Sequence, residues 1–222
     1  MLIAIGKWQL KEWEYQIEIY SSETGLWRKC MEPFKAHVDF ENGVYWNNAI
    51  HWIGIDGCLD SLYFNLDDNQ VFGIKPMPPI PNGWHRKINY YFGESCDHLH
   101  YVEIVGPQIQ FNVYEVRRDY SEWFIKYQVD LSPVVEANPG MIRSTFRPTN
   151  WYYYAFSIFC LVRGKEDENS FLVLQIPGKV IRYNLVYKTF EIMHEFEGAE
   201  VEGNLRFPST NGFQYIESLC GV

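Results

Sequence analysis

Two histidines, His98 and His100 in the stretch Asp97-His98-Leu99-His100, are the first side chains here whose type and spacing could do chemistry. On a strand, residues i and i+2 share a face, so the pair is placed as two metal ligands would be. A zinc site takes three or four protein ligands, and no third stands close by in sequence. The pair therefore reads as ordinary strand residues. Carboxylates cluster at Asp67-Asp68 and at Glu166-Asp167-Glu168. Glycoside hydrolysis needs two carboxyl groups facing each other across a sugar. Both clusters fall in turn-forming stretches, where acids are normally just solvated. The sequence has no G-x-S-x-G, no phosphate-cradling glycine loop and no H-E-x-x-H. Five cysteines (Cys30, Cys58, Cys96, Cys160, Cys220) form an odd set without a C-x-x-C pair, which argues against a disulfide framework or a zinc site. No catalytic residue, metal or cofactor is expected, and the chain does not read as an enzyme.

The elements that hold these residues are strands. Ile17–Cys30, IEIYSSETGLWRKC, alternates Ile17 and Ile19 with Glu18 and Tyr20, turns through Ser21–Gly25, and returns at Leu26-Trp27. The hairpin recurs at 62–74, 111–129 and 180–196. Tyr20 lines up with Phe64, Tyr114 and Tyr183, and Trp27 with Phe72, Trp123 and Phe190. At the glycine of the first loop, Gly25, the fourth copy carries Lys188. Recurrence of one supersecondary unit marks propellers and arrays. The aromatic positions invite sugar stacking, but their alternation favours core packing. A hairpin over Val44–Ile55 turns at Asn47-Asn48, residues that tolerate the left-handed backbone of a two-residue turn. Another turns within Gly93–Asp97. Lys75–Trp84, with four prolines, reads as a stiff connection. Leu131–Asn150 reads as the longest linker. No amphipathic helix is evident, and Phe190–Phe196 alternates as a strand. Lys7–Lys11 reads as a polar break after a short strand, Leu2–Ile5.

The expected fold is all-β: a β-propeller-like domain of four to five four-stranded antiparallel blades spanning residues 1–222. Leu2–Ile5 leaves the first blade short of a strand. Gly212–Leu219 is the segment that would fill the gap, and the expected ring is incompletely closed.

Composition narrows the partners. Aromatics make up 18% of the chain, which suits pleated, half-buried surfaces. The net charge of −9 is spread along the sequence, whereas nucleic-acid binding needs a basic stripe. No apolar run reaches membrane-spanning length, and no secretory leader is evident. Neither nucleic acid nor membrane is expected as a partner, and the expected setting is cytoplasm or nucleus.

IEIYSSETGLW, GVYWNNAIHWI, YFNLDDN and IPGKVIRYNLVYKTF together resemble the kelch-like, F-box-associated C-terminal region of plant F-box proteins. The resemblance spans roughly residues 2–196. It implies a kelch-type propeller that does no catalysis and holds a protein for ubiquitination. In that family an F-box ahead of the repeats docks on Skp1 of a cullin ubiquitin ligase. Here no F-box precedes the repeats, so Skp1 is expected as a partner only with an F-box supplied elsewhere. Two other readings stay open: a propeller-class carbohydrate-active enzyme or glycan-binding domain, and a non-functional truncated fragment.

Loops on a rigid scaffold are where binding residues concentrate. In a propeller, Met31–Asn42, Asp56–Asp60, Lys75–Lys87, Gly106–Gln108 and Leu131–Asn150 would share one face. Trp84, Arg86, Arg147, Trp151 and Tyr152 lie on or beside them. Their types are enriched at interface hot spots, and they are the expected partner-binding residues.

Overall fold

The computed structural model describes residues 3–11, 14–30, 32–54, 61–74, 90–104 and 106–196. Its sixteen strands form four four-stranded antiparallel sheets, so the fold is all-β and propeller-like. The chain divides into two compact units. One holds the described residues before 75 together with the 117–123 segment; the other holds those of 90–116 and 124–196.

In the first unit, β1 (Ile3–Lys11) runs antiparallel to β2 (Glu14–Ser21), while β3 (Leu26–Lys29) and β4 (Phe34–Lys35) also pair with β2. The polar break expected at Lys7–Lys11 is instead strand, with Lys7 opposite Ile17 and Gln9 opposite Tyr15. The pairing comes from β2, whose Tyr15, Ile17 and Ile19 are buried while Glu18 and Tyr20 are not. An edge strand tolerates polar residues that local propensity would reject.

The second sheet of this unit is β5 (Val44–Trp46), β6 (Ala49–Trp52), β7 (Ser61–Asn65) and β8 (Gln70–Ile74), paired in chain order. Asn47 and Asn48 join β5 to β6 with φ of 48° and 56°, the doubly left-handed turn that fits the twist of a hairpin. The core of the unit gathers Tyr15, Ile17, Ile19, Ala36, Val38, Trp52 and Phe64.

In the other unit, β9 (Tyr90–Ser95), β10 (His98–Glu103), β11 (Gln110–Val116) and β12 (Trp123–Asp130) form one sheet. The other is β13 (Ser157–Val162), β14 (Phe171–Ile176), β15 (Lys179–Asn184) and β16 (Phe190–Glu195). Between the sheets, Leu131–Asn150 is not one linker. It contains a six-residue helix, α1 (Ser132–Ala137), too short to show a helical period but started by Pro133 in its first turn. Val134 and Met141 of this segment are fully buried.

The aligned aromatics of the four hairpins do not share one fate. Tyr20 faces Trp27 and Tyr183 faces Phe190, but Phe72 faces Tyr63, so the second copy is displaced by one residue. A one-residue slip exchanges the two faces of a strand; Phe64 is fully buried, as Tyr183 is in the unslipped fourth copy. Trp27 is 53% exposed, which corrects the expectation of uniform core packing. Lys188 holds φ of 57° where Gly25 holds 68°. Each amide donates back four residues, Lys188 to the Asn184 carbonyl and Gly25 to that of Ser21. Gly212–Leu219 lies outside the described residues.

Candidate recognition loop and buried polar network

The loop Arg143–Tyr153 carries three of the five expected partner-binding residues, Arg147, Trp151 and Tyr152. Its stem is a short ladder: Ala155 N donates to Met141 O at 2.8 Å, Ile142 bridges Tyr154, and Arg143 N donates to Tyr153 O at 2.9 Å. Internal turns hold the rest. Phe146 N donates to Arg143 O, Asn150 N to Arg147 O, and Tyr152 N to the Asn150 side-chain oxygen at 2.8 Å. This last bond is an Asx turn, the reason Asn suits this position. These local bonds hold part of the loop's backbone in place.

Arg147 is exposed, Tyr152 is 49% exposed and Phe146 37%, with the two rings 6.0 Å apart. Trp151 is half-buried. It lines a small, partly open pocket together with Ile104, Gly106, Pro107, Gln108, Tyr154 and Phe156. The structure therefore brings Trp151 next to Gly106–Gln108, and puts Arg147 and Tyr152 on the same loop. Trp151 and Tyr152 sit in a turn, and strand β13 begins only at Ser157. Trp84 and Arg86, with loops Asp56–Asp60 and Lys75–Lys87, lie outside the described residues. Phe146 was missed by the sequence reading. The signal available was its setting, an aromatic between two arginines in a stretch rich in turn residues.

The two histidines singled out by spacing belong to one polar network, His100 buried and His98 partly exposed. His98 Nδ1 lies 2.9 Å from Glu115 Oε1, and buried His100 Nε2 lies 3.3 Å from Glu115 Oε2. Arg163 reaches Glu115 Oε2 at 2.5 Å, and its backbone N–H donates to Ser95 Oγ. Arg163 also approaches Asp167, which accepts from Lys126 at 2.8 Å and from the Tyr127 hydroxyl at 2.9 Å. Asp167 is thus engaged rather than merely solvated, a correction to its sequence reading. Burial pushes the Glu115 carboxyl up, but hydrogen bonds from His100 and Arg163 and the Arg163 charge outweigh it and hold the group at about 2. Burial pulls His100 down, keeping it neutral. With Arg163 on the shared carboxylate, the group is an ion-paired structural node. Among the described residues, no group of three or more His, Cys, Asp or Glu is arranged to hold a metal. Asp67 and Asp68 sit in an exposed Asx turn, with both amides donating to Asn65 Oδ1.

A second buried histidine organises the first unit. Val44 O, an acceptor only, lies 3.2 Å from His51 Nδ1, so that nitrogen carries the proton. His51 Nε2 then accepts from the Tyr120 hydroxyl at 3.0 Å. Tyr120 stacks on Tyr63 at 4.2 Å and 8°, and Tyr63 on Phe72 at 5.2 Å. Tyr120 itself holds φ of 58°, unusual for an aromatic residue.

Sheets of four antiparallel strands define a propeller-like protein, and comparison with known proteins adds a relative. The chain is 34% identical, over 94% of its length, to the F-box protein At5g07610 of Arabidopsis thaliana, and covers 51% of that protein. It thus spans about half the length of the curated relative it matches. No protein-family model matches the chain. Among solved structures, an oligogalacturonate lyase in complex with manganese overlaps 86% of this chain and 45% of its own, at 12% identity and a TM-score of 0.42. A protein from Lactobacillus plantarum overlaps 86% of this chain and 51% of its own, at 11% identity and the same TM-score, 0.42.

Proposed function

We propose that this chain is the substrate-recognition part of an F-box protein of the F-box-associated, kelch-like type: a non-catalytic module that holds a target protein for a Skp1–cullin ubiquitin ligase. The observation that carries the reading is similarity to an F-box protein across 94% of the chain. The propeller-like sheets supply the rigid scaffold such a receptor needs. The loop carrying Arg147, Trp151 and Tyr152 supplies side chains of the types found at hot spots. Its setting in this reading is the cytoplasm or nucleus, where ligase and target meet.

The test is affinity purification of the chain, alone and joined to an F-box, from plant cells, with mass spectrometry of bound proteins. The reading expects one set of target proteins with both forms, Skp1 only with the F-box, and loss of the targets on Tyr152→Ala. Retention of Skp1 by the chain alone, or binding to a glycan panel with no protein captured, would overturn it.

A further inference from the structure

We infer that the Arg143–Tyr153 loop receives an acidic peptide segment with one apolar side chain laid against the loop's exposed aromatics. The inference rests on the receptor reading above and adds the chemistry of its target. Between Glu136 and Glu166 the sequence has no carboxylate at all, although the chain as a whole has 28 Asp and Glu and a net charge of −9. Within that acid-free stretch the loop carries Arg143 and Arg147 beside Phe146, Trp151 and Tyr152.

Arg143 is half-buried and reaches the Tyr152 carbonyl at 3.4 Å, so it braces the loop. Arg147 is exposed and no carboxylate among the described residues pairs with it. A guanidinium left open in an otherwise acidic chain complements a carboxylate from outside, in the bidentate geometry arginine favours. Beside it, the pocket is lined by Ile104, Gly106, Pro107, Trp151, Tyr154 and Phe156, with Gln108 its sole side-chain amide and no charged group. Its free interior holds no more than a water molecule, so an apolar side chain would rest across its mouth, against Trp151, rather than enter it. The Phe146–Tyr152 pair extends the apolar surface. A nucleic acid would also meet arginine and aromatics, but its affinity comes from many phosphate contacts, and one open arginine does not supply them.

The test is selection of a random-peptide phage library on the full chain, followed by titration of the enriched peptides, synthesised with a fluorescent label. The expected peptides are rich in Asp and Glu around one aromatic or aliphatic residue. Their binding should fall about tenfold or more with Arg147→Glu and with Tyr152→Ala, weaken as salt is raised, and stay unchanged with Trp27→Ala, an exposed aromatic of the other unit. Circular dichroism of each variant shows that an exposed substitution has left the fold intact.

Enrichment of neutral or basic peptides overturns the inference. So does equal binding by Arg147→Glu, or displacement of the peptide by anionic vesicles or oligonucleotides. If cells yield target proteins whose capture survives Arg147→Glu, the receptor reading stands and this inference fails. If acidic peptides bind as expected while no target or ligase component is captured in cells, the inference stands and the receptor reading fails.

Discussion

Acid should loosen the first unit through one side chain, His51. The ring is fully buried, with Nδ1 committed to the Val44 carbonyl and Nε2 to the Tyr120 hydroxyl. Burial lowers its pKa from 6.5 to about 4, against weaker support from the Val44 and Ala49 backbone. The folded value lies below the unfolded one, so the unfolded chain binds the extra proton. Stability is therefore constant above pH 6.5, falls as pH drops towards 4, and levels off below that. Linkage sets the loss at about 2 kcal/mol by pH 5 and about 3 kcal/mol on the plateau. Protonation also turns Nε2 into a donor, which forces the Tyr120 hydroxyl to reorient.

The measurement is urea unfolding of the wild type and of His51→Gln from pH 7 to pH 4. It is read by hydrogen exchange in β5–β8, so that acid effects at Glu115 and His100 of the other unit do not enter. The glutamine variant should be less stable at pH 7, and its gap from the wild type should close as pH falls. Parallel curves for the two proteins would refute the reasoning, because the titrating group would then lie elsewhere.

Removing one partner of a buried ion pair strands the other. Arg163→Ala should cost about 3 kcal/mol, and the double change with Glu115→Gln should recover part of it, both read by denaturant unfolding. Tyr120→Phe should cost about 1–2 kcal/mol, because it leaves buried His51 Nε2 without its donor, and should speed amide exchange around Asn47. Lys188→Gly should raise the melting free energy by about 0.5–1 kcal/mol, since glycine relieves the left-handed strain at φ of 57° but loses some of that gain to chain entropy. A melting temperature that falls in Lys188→Gly would show that the lysine side chain supplies more than its backbone strain removes.

The legible part of this sequence was whatever depends on near neighbours. Alternation at Ile17–Tyr20 and the Asn47-Asn48 turn specify strands and a hairpin by local sterics, and both are present in the structure. Lys188 could be placed on a glycine position because the loops match residue for residue. What failed depended on which residues meet across strands, whether near or distant in sequence. Lys7–Lys11 becomes strand because β2 lies beside it. Phe64 exchanges roles with Tyr63 because register is set across the sheet, not along the strand. His98 and His100 were recognised as a pair, but nothing local shows that Glu115 and Arg163 meet them. At the loop, aromatics and arginines were recognisable by type. Their exposure was not, because Trp151 and Tyr152 follow the same pattern as the buried residues of β13 that come next.

The proposed recognition loop is held firmly at its ends. Asp130 accepts from the Ser132 amide and hydroxyl through Oδ1, and its carbonyl accepts from the buried Tyr183 hydroxyl at 3.0 Å. Leu131 N donates to Ile109 O. One hairpin aromatic thus pins the point where the chain leaves β12 towards the loop. Met141, fully buried, anchors the first strand of the stem, and Ala155 and Phe156, also buried, anchor the second. A surface loop held in this way loses less conformational freedom on binding than a free one, and that saving appears directly as affinity. It also explains why the aromatics of this chain divide as they do. Tyr183 spends its ring on the core and its hydroxyl on tethering, while Phe146 and Tyr152, at the far end of the tethered segment, leave apolar surface exposed.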